Sequence, residues 1–191
     1  MSDLNELFNQ AIWVAESLFN RRVVSGSAAN LSFFYDNKIY ITASSTCFGN
    51  LNKDSFAEMS LDGKNLNGLK ASKEFPLHQM LYLKDQSVKA VLHTHSAFAT
   101  YWSCQPVREE EPVIPSPTPY LKMKVGKVGY VPFAKPGSEE LFTLFRENLS
   151  ETNCYLLANH GPIVGGSSIM EAFYNIEELE EAAKNAWLLQ K

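Results

Sequence analysis

The chain has 191 residues and a mass of 21.4 kDa, enough for one domain, 1–191, around one core. A formal charge of −4 with scattered Lys and Arg leaves no basic tract for nucleic acid or a membrane surface. The start lacks the basic residues and apolar run of an export signal, no stretch approaches a membrane span, and Cys47, Cys104 and Cys154 form no CxxC pair. The expectation is a cytoplasmic protein with reduced thiols.

Leu4, Leu7, Phe8, Ala11, Ile12, Ala15, Leu18 and Phe19 recur at helical spacing, with Asp3 as the expected N-cap. The small residues Ser25-Gly26-Ser27-Ala28-Ala29-Asn30 suit a turn where backbone approaches something closely. Asp36-Asn37 between Leu31–Tyr35 and Lys38–Thr42 signals a hairpin. A turn follows at Leu61-Asp62-Gly63-Lys64. Next come a short helix from Pro76 to Leu83, an apolar strand from Val88 to His93, and a helix from Ser96 to Ser103.

Gln105 to Pro119, with five prolines and Glu109-Glu110-Glu111, reads as a loop. Val128 to Phe133 is a predicted strand, ended by Lys135-Pro136-Gly137, and Ser138 caps a predicted helix to about Leu149. Strands at Cys154–Ala158 and Pro162–Gly165 surround Asn159-His160-Gly161. Ser168 opens the last amphipathic helix, with Glu171 completing a capping box. The acidic residues from Glu171 to Glu181 read as a solvated helix face. Helices mixed with hairpin-linked strands predict an α/β fold, a largely antiparallel sheet with helices on its faces.

The chain has four histidines. His93 and His95 form His-x-His at a strand end, so both rings project from one face and can share a metal ion. His160 sits at another strand end; three neutral imidazoles with an open position would suit a Lewis-acid metal. Chance placement on an exposed strand is the bland alternative. His78, four residues from Glu74, is a fourth ligand or a core or partner-contacting side chain. Glu74 is a helix-terminal anion, a general base or an extra ligand. The Ser25–Asn30 turn, with Ser44-Ser45 and Ser72-Lys73, offers hydroxyls, N–H groups and an ammonium that suit a phosphate dianion, or is only a turn.

Taken in order, seven segments resemble the class II aldolase/adducin family over nearly the whole chain. They are Ser25–Ser32, Ile41–Ser44, Met59–Gly63, Ser72-Lys73-Glu74 with His78, Val91–Ser96, Leu157–Gly161, and Glu171–Phe173 with Glu177–Ala182. Within the family, Thr46–Leu51, Ala71–Glu74, Pro117–Val128 and Val131–Gly137 look like the 3-oxo-tetronate 4-phosphate decarboxylases. The aldolase pattern has paired serines before the glutamate and a Pro-Ser/Thr-Gly turn. Here Lys73 replaces one serine and Ser44-Ser45-Thr46 replaces the turn.

The resemblance implies an α/β/α layered fold and zinc, or another divalent metal such as Mn2+ or Co2+, on His93, His95 and His160. It implies Glu74 as acid/base and ligand in the resting site. Phosphate would be held by Ser25, Gly26 and Asn30 of the turn with Ser44, Ser45, Ser72 and Lys73. Tyr120 matches a tyrosine that reaches a neighbouring subunit's metal in the aldolases, within a homotetramer whose sites are interfacial.

The implied reaction is decarboxylation of a small phosphorylated keto-sugar acid, 3-oxo-tetronate 4-phosphate, to dihydroxyacetone phosphate and carbon dioxide through a metal-bound enediolate. Tyr120 would donate a proton or orient substrate. Lys122, Lys124 and Lys127 are open candidates for the substrate carboxylate. The alternatives are a class II sugar-phosphate aldolase or 4-epimerase, such as L-fuculose-1-phosphate aldolase or L-ribulose-5-phosphate 4-epimerase, and a non-catalytic binding module like the adducin head.

Overall fold

The computed structural model describes residues 3–107 and 112–190. Among the described residues, seven strands lie in one sheet: β1 (Ala29–Tyr35), β2 (Lys38–Thr42), β3 (Phe56–Ser60), β4 (Ala90–Thr94), β5 (Gly129–Val131), β6 (Cys154–Leu157) and β7 (Gly161–Gly166). Their spatial order is β3-β2-β1-β4-β7-β6-β5, and every neighbouring pair is antiparallel except β5 with β6. The helices are α1 (Leu4–Asn20), α2 (Phe75–Lys84), α3 (Ala97–Ser103), α4 (Tyr120–Lys124), α5 (Glu139–Glu147) and α6 (Ile169–Leu188).

Both faces of the sheet are covered, so its central strands are buried on both sides. Strand parity sorts their side chains. Leu31, Phe33, Ala90, Leu92, Leu156 and Val164 join the core under α1, α3 and α6. Ile39, Ile41, Val91, Tyr155, Leu157 and Ile163 join the core under α2 and α5. Asn30, Ser32 and His93 share the parity of that second set and face α2 with their polar groups. The layered α/β architecture expected from the sequence is present.

The predicted hairpin forms: Asp36 and Asn37 take φ values of 47° and 59°, the paired left-handed turn whose twist matches its strands, and Tyr35 opposes Lys38. Several local expectations differ. Asp3 precedes α1, but its side chain makes no cap bond; its backbone carbonyl accepts from Glu6 N and Leu7 N instead. Ser168 Oγ accepts from Glu171 N, while the Glu171 carboxylate reaches back to Ser167 rather than to Ser168, so only half of the capping box is made. The strand at 128–133 shortens to β5 because Pro132 has no N–H for the ladder.

Strand β3 and the single-turn helix α4 were not anticipated. The acidic run Glu109–Glu111 lies outside the described residues. No described helix is long and apolar enough to cross a membrane, and all three cysteines are free.

Candidate metal centre and substrate cleft

Three imidazoles meet where β4 and β6 end and β7 begins. His93 is on β4, His95 follows it by one pleat, and His160 sits in the turn joining β6 to β7. That turn is tight: Asn159 is left-handed at φ 51°, and His160 N donates to Leu157 O and Ser103 Oγ. Gly161 follows at φ 150°. A Cβ there would fall 2.4 Å from Thr94 O, the carbonyl between the two β4 histidines. Only glycine lets the His160 turn come this close.

His93 Nε2 lies 3.2 Å from both His95 Nε2 and His160 Nε2. Glu74 completes the group: its Oε2 is 3.3 Å from His93 Nε2 and its Oε1 is 3.2 Å from His160 Nε2. Four donors around a tetrahedral zinc at about 2.0–2.1 Å would be separated by about 3.3–3.4 Å, so the spacing fits a metal centre.

The tautomers agree. His93 Nδ1 is 2.9 Å from Pro162 O, which can only accept, so Nδ1 carries the proton and Nε2 turns a lone pair to the centre. His93 and His160 are buried, His95 exposed. His160 Nδ1 is buried without a partner, so that ring lacks the outer hydrogen bond that His93 has.

Burial is the main force on the His93 ring, with the neighbouring imidazoles adding to it against Glu74, and its pKa falls to about 3. His95 is also lowered, first by burial. Burial pushes the Glu74 carboxyl up, but in acid, where the His93 ring takes up charge, that charge together with hydrogen bonds from His160 and the Asn30 amide outweighs burial and holds the group below its ordinary range. An anion among lone pairs is what a divalent cation neutralises.

Glu74 is the residue before α2, yet its side chain does not cap that helix. Pro76 supports the first turn, and Ser72 Oγ accepts from Glu74 N, leaving the carboxylate free to turn inward. Asn30 Nδ2 donates to Glu74 Oε2 at 3.1 Å; β1 brings Asn30 opposite His93.

Beside the centre lies a cleft of about 460 Å³. One wall is Ser27, Ala28, Ala29 and Asn30; the other carries Ser44, Ser45, Thr46, Ser72 and Lys73, with Glu74 and His95 at the metal end. Ser45 is left-handed at φ 66°, a conformation few serines adopt, held by Thr46 N donating to Ala43 O. Lys73 packs its stem on Gly137 and donates to Pro136 O at 3.4 Å, which draws the turn after β5 over the cleft.

The structure thus brings Asn30, Ser44, Ser45, Ser72, Lys73, Glu74 and the three histidines together. Ser25 and Gly26 are exposed and not on the cleft wall, and Ser27, Thr46 and Pro136, unassigned from sequence, are. Tyr120 is 57% exposed and is not on the wall of its own chain's cleft. Lys122, Lys124 and Lys127 are exposed and line other surface hollows.

His78 is a core side chain bonded to Asn30 and Ser32, four residues from Glu74 but outside the ligand group. The acidic stretch of α6 is more than a solvated face. Glu180 accepts from Phe98 N and Ala99 N, each at 2.9 Å, and caps α3 immediately after His95. No sequence pattern joins positions 98 and 180.

Residues 9–187 match the Class II Aldolase and Adducin N-terminal domain family. The chain is 40% identical over 177 residues to the 3-oxo-tetronate 4-phosphate decarboxylase of Escherichia coli K12, covering 92% of this chain and 84% of that protein. It is 34% identical over 175 residues to the L-fuculose phosphate aldolase of Methanocaldococcus jannaschii, covering 92% of each. The crystal structure of YgbL from Klebsiella pneumoniae, a candidate aldolase, epimerase or decarboxylase, superposes with a TM-score of 0.94 at 35% identity, over 100% of this chain and 93% of that one. The match spans β1 through α6, and with it the three histidines, Glu74 and the cleft that adjoins them: this chain belongs to the class II aldolase and adducin N-terminal domain family.

Proposed function

We propose that this protein is a metal-dependent carbon–carbon lyase that decarboxylates 3-oxo-tetronate 4-phosphate to dihydroxyacetone phosphate and carbon dioxide. The observation that carries the reading is the convergence of His93, His95, His160 and Glu74 beside a cleft lined with hydroxyls and one ammonium. The 40% identity to the Escherichia coli decarboxylase supports the substrate.

The three imidazoles, with Glu74 as a fourth donor, would hold zinc or a similar divalent ion. When bound, that ion supplies Lewis acidity toward the ketone oxygen next to the breaking bond. The remaining steps belong to the protein. Backbone N–H groups of the Ser27–Asn30 turn, the hydroxyls of Ser44, Ser45 and Ser72, and the Lys73 ammonium hold the phosphate dianion through charge-assisted bonds. Lys73 replaces a neutral partner with a charged one and keeps the turn at Pro136 in place.

The carbon that loses carbon dioxide takes up one proton overall. Glu74 is the group placed to deliver it. Because its carboxylate is ionised at rest, that proton must first come from solvent in the open cleft. Tyr120, exposed and away from its own cleft, fits a side chain that serves the site of a neighbouring protomer in a homotetramer.

An aldolase uses the same electron sink and expels an aldehyde instead, and the Methanocaldococcus relative keeps that second reading in play. The test is to incubate the zinc-loaded protein with D- and L-3-oxo-tetronate 4-phosphate and with ketose 1-phosphates, with chelator controls. Carbon dioxide from an oxo-acid phosphate, lost on chelation and restored by metal, is expected. Aldehyde from a ketose phosphate without decarboxylation would overturn the proposal.

A further inference from the structure

Behind Glu74, away from the cleft, lies a buried polar chain. Asn30 Nδ2 donates to Glu74 Oε2, Asn30 Oδ1 meets His78 Nε2, His78 Nδ1 lies 2.8 Å from Ser32 Oγ, and Ser32 Oγ lies 2.7 Å from Tyr82 OH. His78 and Ser32 are 0% exposed, Tyr82 5% and Asn30 6%. Four polar side chains in a core cost stability unless each is paired, and here each is.

The donors follow from one end. An ionised carboxylate only accepts, so Asn30 presents its NH2 to Glu74 and its oxygen to His78. His78 Nε2 must then carry the ring proton. Burial keeps the ring neutral, lowering its pKa to about 3 against the Glu74 charge, so Nδ1 is an acceptor. Ser32 therefore donates to Nδ1, and Tyr82 donates to Ser32. Every hydrogen bond points toward Glu74, and no member can reverse without leaving two like groups face to face.

We infer that His78, fixed by Ser32 and Tyr82, is a positioning residue that locks the Asn30 amide with its NH2 toward Glu74 and so holds the acid/base carboxylate in its working orientation. The chain does not conduct protons, because the Asn30 amide has no free proton to relay. Its contribution is orientation: the carboxylate has a preset donor at Oε2, while Oε1 faces His160. The inference rests on the proposed proton-carrying role of Glu74, but the geometry it claims can be read without any substrate.

The decisive variants are His78→Leu, which removes both ring contacts, and His78→Gln, which offers a donor and an acceptor on one amide. Ser32→Ala, a smaller change, deletes only the donor to Nδ1. In the zinc-loaded full chain, His78→Leu should lower kcat about 30-fold or more with KM changed less than about threefold, and His78→Gln should recover about tenfold of that loss. Ser32→Ala should lower kcat about five- to tenfold with metal content intact. A crystal structure of His78→Leu should show Asn30 turned and Glu74 displaced; if that variant does not fold, the Ser32→Ala structure gives the same reading.

Displaced Glu74 in a protein whose wild type lacks decarboxylase activity would uphold the positioning role and reject only the substrate. Glu74 and Asn30 unmoved in either variant, His78→Gln no better than His78→Leu, or losses confined to KM or metal content would overturn it.

Discussion

Acidification of the metal-free protein provides a quantitative test of the buried histidines. His78 and His93 are both 0% exposed, and burial is the main cause that lowers each from 6.5 to about 3. The folded-state value lies below the unfolded one, so the unfolded chain binds more protons. The stability these rings contribute is therefore fully present above about pH 6.5 and is lost as pH falls toward 3. At about pH 5.5 each unfolded ring is mostly protonated while its folded counterpart is not, which costs on the order of 1 kcal/mol per ring and about 2–3 kcal/mol for the pair.

Glu74 acts in the same direction but only below its ordinary value of 4.5, outside this window. Urea melts of chelated protein at about pH 7.5 and about pH 5.5 should differ by about 2–3 kcal/mol or more, since His95, also lowered by burial, adds in the same direction, and His78→Gln should remove about 1 kcal/mol of the difference. Equal stability at the two pH values, or a gain on acidification, would show that the rings are not held neutral by the fold.

His93→Ala removes the ring whose Nε2 is 3.2 Å from both other imidazoles, so zinc affinity should fall at least about 100-fold while the far-ultraviolet circular dichroism of the chain is kept; retained stoichiometric metal after dialysis against chelator would remove His93 from the ligand set. Gly161→Ala places a Cβ 2.4 Å from Thr94 O at a φ few L-residues adopt, and should cost about 2–5 kcal/mol by equilibrium denaturation, with weaker zinc binding as the His160 turn lifts from β4; a change below about 1 kcal/mol would contradict that close approach. Glu180→Ala leaves Phe98 N and Ala99 N without their partner and should cost about 1–2 kcal/mol, read as a lower melting temperature, with metal affinity falling less than in His93→Ala; an unchanged melting temperature would mean that solvent replaces the cap fully.

The parts of the fold legible in the sequence were those with local causes. The left-handed Asp36-Asn37 pair marked the hairpin, Ser138 marked the start of α5 through its bond to Leu141 N, and the period of α1 was plain. Strand β3 escaped because Phe56-Ala57-Glu58-Met59-Ser60 is short and gains definition from pairing with β2, with Ile39 opposite Met59 and Ile41 opposite Ala57. Helix α4 escaped because five residues after a proline-rich stretch carry little periodic signal. The half-made capping box shows the same limit: Ser168 and Glu171 have the right spacing, but the backbone after β7 offered Ser167 N first.

The site was legible where chemistry and strand parity coincided, as for His93 and His95, and opaque where register decided. Asn30 and Ser32 alternate with Leu31 and Phe33, which in a half-covered sheet would mark a solvent face. They are nevertheless buried, because α2 covers that side and meets them with His78 and Tyr82. Each hydroxyl or amide under the covering helix needs a partner, and apolar groups of similar volume often serve a core as well or better. The partners lead from Tyr82 to Glu74 across separations of 44 to 50 residues that no spacing rule reaches. The polar residues on β1 therefore mark the face of the sheet that carries Glu74 and His93, and their cost in burial is offset by the hydrogen bonds that pair each of them.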